Sequence, residues 1–302
     1  MKKVKAWLSA ARLRTLPLSV SGIIVGTAIA NYKGFQDNLL FTLCLLTTIA
    51  FQILSNFAND YGDGVKGTDN EERLGPARAL QSGLLTDKEL KKGIITTAII
   101  SLVLAVSLIL CAFNLNELLF VLLFLFLGMA SVWAAIKYTV GDNAYGYRGM
   151  GDVFVFLFFG LLAVLGTIFL YEKGIDWAAV LPAITIGFLC VGVLNLNNLR
   201  DVNSDTKSGK QTLVVKMGYR NGKIYHTLLV FISLICLLVY WCLSLNSVAI
   251  LWIFIPYIVI GLHLSKVWRT AAPKDLDPEL KKLALSTFGL AMLIYFAMNY
   301  FL

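Results

Sequence analysis

Long apolar runs separated by short polar ones set the pattern of this chain. Nine stretches, at 16–32, 39–58, 93–113, 117–137, 152–171, 177–197, 224–244, 247–264 and 284–301, carry almost no charge in their interiors. Runs of about 17–25 apolar residues are long enough to cross a bilayer as helices. They are continuous rather than alternating in polarity, which argues against barrel strands. The pattern therefore predicts an all-α membrane protein of nine transmembrane helices, folded as a single domain over 1–302. Ahead of the first run, Trp7, Leu8, Ala11 and Leu13 lie among Lys2, Lys3, Lys5, Arg12 and Arg14, the make-up of a short interfacial helix. This basic start, followed by an apolar stretch and Ala28-Ile29-Ala30, imitates a signal peptide. The many spans that follow favour an uncleaved first helix.

Composition agrees with the pattern. The chain is 58% hydrophobic and only 15% charged, against about 25% charged in soluble domains. Its net charge of +8 is unevenly placed. When the loops are assigned alternately to the two membrane faces, all but Lys33 and Lys173 of the 26 Lys and Arg fall on the side of the N-terminus. That asymmetry predicts a multi-pass protein of the cytoplasmic membrane with its N-terminus in the cytosol. The excess charge is then a topology signal and a collar for membrane lipid, with no nucleic-acid partner. Cys44, Cys111, Cys190, Cys236 and Cys242 all lie in apolar runs without C-x-x-C spacing and read as small core hydrophobes. The long loops, roughly 59–92, 138–151, 198–223 and 265–283, are all on the cytosolic side, and so are the residues that carry chemistry.

Two of these segments stand out. Asn56 to Asp69 reads N-F-A-N-D-Y-G-D-G-V-K-G-T-D, and in helical continuation Asn59 and Asp63 share a face at i, i+4. Asn195 to Lys210 puts Asn197, Asp201 and Asp205 at i, i+4, i+8. Laying Asp63 on Asp201 matches Asn59 to Asn197 and Asp60 to Asn198, so a four-helix unit used twice, plus a ninth helix, is expected. Acidic residues at helix C-termini oppose the local dipole. Gathered in one region they repel unless cations neutralise them, and hard cations of that kind commonly bind with phosphate completing the shell. Solvated helix caps are the plainer alternative. Basic residues follow each ladder: Lys66, Arg73 and Arg78 after the first, and Lys207, Lys210 and Lys216 after the second. Arg78 and Lys210 sit in glycine-containing turns suited to anions. The segment Lys137 to Gly151 combines four glycines, three tyrosines and Arg148, and is either a connector or a lid over a substrate. His226 and His263 read as isolated interfacial side chains, not ligands.

At these residues the sequence resembles the UbiA superfamily of intramembrane aromatic prenyltransferases, whose loops carry N-D-x-x-D-x-x-x-D and D-x-x-x-D. Asn59, Asp60 and Asp63 match the first pattern, whose last Asp is replaced by Gly67 with Asp69 two residues on; Asp201 and Asp205 match the second. The D-Y-G-D-x-V-K-G-x-D form, G-P-x-R at 75–78, G-Y-R-G-M-G at 146–151, N-N-L-R-D at 197–201 and D-T-K-S-G-K-Q-T-L at 205–213 are similar to the branch that prenylates 1,4-dihydroxy-2-naphthoate in menaquinone biosynthesis. The resemblance implies a polyprenyl diphosphate donor and two Mg²⁺ ions held by Asp60, Asp63, Asp201 and Asp205, with Asn59 and Asn197 assisting. Asn56, Lys66, Arg78, Tyr138, Arg148, Lys207 and Lys210 join Asn59 and Asn197 as expected substrate contacts. It further implies attack by the acceptor ring, then loss of CO₂ and a proton to give demethylmenaquinol. Arg14 either helps to bind the acceptor's carboxylate or anchors the helix flank. Many members have Y-x-x-x-K after the fourth span, but here Tyr138 is followed by Asp142, so Lys137 or Arg148 would have to substitute. Homogentisate, 4-hydroxybenzoate or haem are the alternative acceptors. A cation or phosphate transporter is disfavoured because the span interiors lack charge.

Overall fold

The computed structural model describes residues 2–67 and 78–302. Asp69 and Arg73, and Gly75 to Ala77 of the G-P-A-R motif, lie outside the described residues. Among the described residues the protein is entirely helical, and nine segments are long and apolar enough to span a membrane. We number the helices α1 (Lys2–Ala11), α2 (Leu16–Tyr32), α3 (Asn38–Val65), α4 (Asp87–Ala112) and α5 (Leu118–Lys137). They continue with α6 (Gly151–Glu172), α7 (Val180–Lys207), α8 (Tyr219–Leu245), α9 (Val248–Arg269) and α10 (Pro273–Tyr300). Large apolar side chains such as Leu119, Phe126 and Leu262 are exposed along these helices, an arrangement stable when the solvent is lipid.

The helices outrun the apolar stretches that predict them. Hydropathy ends the second span at 58 and the sixth at 197, but α3 runs to Val65 and α7 to Lys207. The amphipathic ends are thus helical, as the i, i+4 spacing of Asn and Asp requires. At the start of α4 a capping box does the same: the Thr86 side chain accepts from the Glu89 N–H, and Glu89 accepts from the Thr86 N–H. The first residues of that helix are polar, so apolar counting begins it late.

The residues group into two compact units. The first comprises Met1–Leu16, Thr42–Gly151 and Asn203–Thr212, and the second Pro17–Phe41, Asp152–Val202 and Leu213–Leu302. This grouping does not follow a four-plus-four-plus-one division of the spans. In the first unit, α1 is the expected short amphipathic helix. Ala6, Ala10 and Ala11 are buried with Phe57, Ala79, Leu85 and Leu90, while Val4 and Leu8 are exposed. Trp7 packs edge-on to Phe57 at 5.2 Å. A Cβ on Gly93 would fall 2.6 Å from the Trp7 ring, so the missing side chain in α4 is what admits the indole.

In the second unit, α6 is wound as a π-helix over Phe156–Gly166 and takes its neighbours at backbone distance. A Cβ on Gly160 would lie 2.6 Å from the Gly187 Cα in α7 and 2.8 Å from the Ala183 carbonyl oxygen. Gly22 and Gly26 of α2 meet Ala163 and Thr167 of α6 equally closely. Small residues let membrane helices approach where no hydrophobic force separates helix from lipid.

His226 and His263 overturn their sequence reading. Both are fully buried, and their Nε2 atoms face each other at 2.9 Å. His263 Nδ1 lies 2.7 Å from Glu279, which also accepts from Lys282 at 2.6 Å. The chain ties α8, α9 and α10 together through residues 37 and 16 positions apart, a separation that no local pattern reports.

Replacing Gly160 by Val should force α6 and α7 apart, overpacking that usually costs about 1–3 kcal/mol. A clear fall in the Tm of the purified protein in detergent is expected, and an unchanged Tm would contradict the close contact.

Candidate active site

The first acidic ladder is built at the C-terminal end of α3. Asp60 and Asp63 are buried at 1% and 4% exposure, at the helix end where negative charge is least welcome. Each carboxylate is offset by donors. The backbone N–H of Ala79 donates to Asp60 at 3.1 Å. Arg78 Nη2 donates to one oxygen of Asp63 at 3.2 Å, and the Tyr147 hydroxyl to the other at 2.8 Å. The glycines on either side of Asp63 make this possible. A Cβ on Gly62 would lie 2.5 Å from the Thr139 hydroxyl, and one on Gly64 2.6 Å from Leu80. The D-Y-G-D-G spelling therefore lets two loop segments press directly on the helix end. Thr139 completes the seal by donating to the Ala58 carbonyl at 3.0 Å and to Asn59 Oδ1 at 3.2 Å.

Tyr147 organises the cations. The Lys66 ammonium stands 4.0 Å from its ring centroid and the Lys210 ammonium 5.3 Å. Its carbonyl accepts from the Gln211 N–H at 3.0 Å. Cation–π contact of this kind holds an ammonium without consuming its donors. Desolvation beside the ring lowers the Lys66 pKa, against the attraction of Asp63 and Asp142. Gly209, at φ 73, turns the chain after α7 so that Lys210 N–H reaches the Asp205 carbonyl at 2.9 Å. The Lys210 ammonium then lies 4.0 Å from the buried Asp205 carboxylate. Asp60, Asp63, Asp205, Asn59, Lys66, Arg78 and Lys210 thus gather in one unit. Tyr147 is the member that sequence reasoning passed over. Its only signal was its place in G-Y-R-G-M-G.

Other expected contacts are placed differently. Asn56 is buried, and its amide donates to the Ala11 carbonyl at 2.8 Å and to the Thr15 hydroxyl at 3.3 Å, fixing the N-terminal segment to α3. Tyr138 packs edge-on to Tyr145 at 5.4 Å. Burial raises the pKa of the Tyr145 phenol, which donates to the Ala134 carbonyl at 2.8 Å. Arg148 is exposed and bonded to Asn143, and Lys207 is exposed at the end of α7. Lys216 is exposed in the second unit.

Asp201 and Asn197 belong to the second unit, where Arg200 holds them. This guanidinium is 2% exposed. Its Nε and Nη2 donate to the two Asp201 oxygens at 2.8 and 2.6 Å, Nη2 also to Asn197 at 2.8 Å, and Nη1 to Asp277 at 2.6 Å. Forked Arg–carboxylate pairs fix orientation as well as charge.

Among the described residues, no three acidic, histidine or cysteine side chains already converge on a metal position. The donors are nevertheless those of a hard cation: buried carboxylates and amides, with no thiol or imidazole among them. Mg²⁺ usually takes one or two protein carboxylates, with phosphate and water completing its octahedron. Carboxylates backed by ammonium and guanidinium groups fit a metal that arrives with a phosphate-bearing substrate.

A helical membrane protein with such a site is of the kind that handles phosphorylated substrates at a membrane face, and the comparisons narrow the class. The model of the UbiA prenyltransferase family matches residues 19–297. A 1,4-dihydroxy-2-naphthoate octaprenyltransferase of Haemophilus influenzae is 42% identical over 97% of each chain. Its namesake from Escherichia coli is 45% identical over 93% of this chain and 91% of that one. Among solved structures, a UbiA homologue from Archaeoglobus fulgidus bound to DMAPP and Mg²⁺ has a TM-score of 0.67 at 16% identity, covering 98% of this chain and 100% of that one. The chain belongs to the UbiA prenyltransferase family.

Tyr147→Phe keeps the ring under both lysines but removes the hydrogen bond to Asp63. A hydrogen bond to a charged group contributes about 1.5–3 kcal/mol, so the prenyl-transfer rate should fall by about 10-fold or more. A rate equal to wild type would remove Tyr147 from the site.

Proposed function

We propose that this protein transfers a polyprenyl group from polyprenyl diphosphate to 1,4-dihydroxy-2-naphthoate, releasing diphosphate and CO₂ and giving demethylmenaquinol. The carrying observation is the identity of 42% and 45%, over more than nine-tenths of both chains, to proteins bearing that activity in their names. The reaction faces the cytosol of a bacterial cytoplasmic membrane, in keeping with the one-sided placement of Lys and Arg.

Asp60, Asp63 and Asp205 are the first unit's carboxylates for Mg²⁺, with Asn59 assisting, and the family pattern adds Asp201 and Asn197. The bound metal would supply positive charge to the phosphate oxygens as the leaving group departs. The protein's own part is to hold the donor by its diphosphate. Lys66, Lys210 and Arg78 offer it cationic donors already positioned around Tyr147 and Asp63. Fixed donors of this sort stabilise charge as it builds, without reorganising at the moment of reaction. Where the family pattern has a lysine four residues after the tyrosine this chain has Asp142, and Lys66 and Lys210 at Tyr147, rather than the expected Lys137 or Arg148, take its part. Keeping the diphosphate at the helix ends leaves the prenyl tail in the apolar interior, where its burial stabilises the complex.

Purified protein given polyprenyl diphosphate, dihydroxynaphthoate and Mg²⁺ should yield prenylated, decarboxylated naphthoquinol, and chelation should abolish it. Asp63→Ala and Asp201→Ala should each slow turnover by on the order of 10³-fold. Wild-type rates in both variants would sink the mechanism.

A further inference from the structure

Two helices of the second unit carry unsatisfied polar atoms at neighbouring levels of the apolar interior. Asn195 in α7 is fully buried, and neither its amide nitrogen nor its carbonyl oxygen has a hydrogen-bond partner. Asp152, in the first turn of α6, is 5% exposed. One of its oxygens meets the Tyr225 side chain of α8, and its Oδ1 has no partner. Helix register brings Asp152 to within about one turn of Asn195 along α7. The Phe156 ring of α6 packs against Phe188 of α7 at 4.9 Å, tilted by 30°, so Asp152, one turn earlier on the antiparallel neighbour, lies level with residues 191–192, about one turn from Asn195. His226, next to Tyr225, reaches the same level of α7, with its ring 3.6 Å from a Cβ placed on Gly192. Buried polar groups are almost always paired, and three unpaired atoms on two facing helices call for a polar occupant.

The atoms specify what that occupant offers. Asp152 Oδ1 and Asn195 Oδ1 accept, and Asn195 Nδ2 donates. A hydroxyl satisfies both kinds. Asn195 lies six residues deeper than Asp201 on α7, about 9 Å along the axis, so a ring seated there would lie on the hydrocarbon side of the acidic ladder.

We propose that Asp152 and Asn195 seat the 1-hydroxyl of the aromatic acceptor, and that Asp152 takes its proton as the ring attacks; this rests on the function proposed above. The O–H bond breaks towards Asp152 Oδ1, and its electron pair enters the ring. The ring carbon bearing the carboxylate forms a bond to the allylic carbon of the donor, whose C–O bond breaks with the pair leaving on diphosphate. The adduct is a ketone beside a quaternary carbon that still bears the carboxylate. Loss of CO₂ returns that bond's pair to the ring as an enolate, and the enolate oxygen recovers the proton from Asp152. The proton is lent and returned, and Asn195 Nδ2 donates to the oxygen while it is charged.

Asp152→Asn keeps an acceptor oxygen for Tyr225, so it preserves a structural role while removing the base. With the dihydroxy acceptor its kcat should fall by on the order of 10²-fold, the usual worth of general base catalysis, with the KM for polyprenyl diphosphate unchanged. The same loss should persist with the 4-methyl ether of the acceptor and vanish with the 1-methyl ether, which wild type should turn over no faster than the variant does. Asn195→Leu should weaken acceptor turnover at least 10-fold with the donor KM unchanged. If both variants keep acceptor kinetics within threefold of wild type, whether or not Tm falls, the cluster holds only buried water and the inference is overturned. A loss equal for both methyl ethers also overturns it. Absence of product from wild type with the naphthoate would instead overturn the function on which it rests.

Discussion

Carboxylates buried at the ends of apolar helices are the constraint on which this structure depends. An ionised acid out of water is tolerated only when paired and hydrogen-bonded, and a helix C-terminus makes the demand stricter. The protein meets it differently at its two ladders. Around Asp60 and Asp63 the partners come from loops: the Ala79 N–H, Arg78 and Tyr147. At Asp201 the partner is the preceding residue, Arg200, itself braced by Asn197 and Asp277. Either arrangement holds the carboxylates hydrogen-bonded and aimed at the helix ends.

The glycines follow from the same demand. Gly62 and Gly64 exist so that Thr139 and Leu80 can close on the end of α3. Gly209 exists so that the chain can reverse after α7 and return Lys210 towards Asp205. Binding energy from a substrate diphosphate is then spent on cations already in place rather than on ordering them, the condition under which fixed charges accelerate a reaction most.

Much of this was legible in the residues. Nine apolar runs correspond to nine candidate spans among the described residues, because lipid admits few alternatives for a chain that must satisfy its own backbone. The i, i+4 spacing of Asn59 and Asp63, and of Asn197, Asp201 and Asp205, held because the helices continue past the hydrocarbon. Contacts between distant segments were not legible. The pairing of His226 with His263, the placement of Lys66 and Lys210 over Tyr147, and the bond from Arg200 to Asp277 each join residues whose nearness is set by helix packing. Asn56 shows the converse: a residue next to a motif whose amide is committed to the N-terminal segment. The compact units likewise group segments from distant parts of the chain, which packing sets and sequence spacing does not report.

The central claim is that an acid-rich, cation-backed helix end delivers a prenyl group to a dihydroxynaphthoate. Its most direct measurement is competition among acceptors in one vessel. Purified protein, Mg²⁺ and polyprenyl diphosphate would be mixed with equal dihydroxynaphthoate, 4-hydroxybenzoate and homogentisate, and the products identified by mass. Prenylated, decarboxylated naphthoquinol is expected as the dominant product if the protein is selective for the naphthoate. Preferential prenylation of either benzenoid acceptor would contradict it.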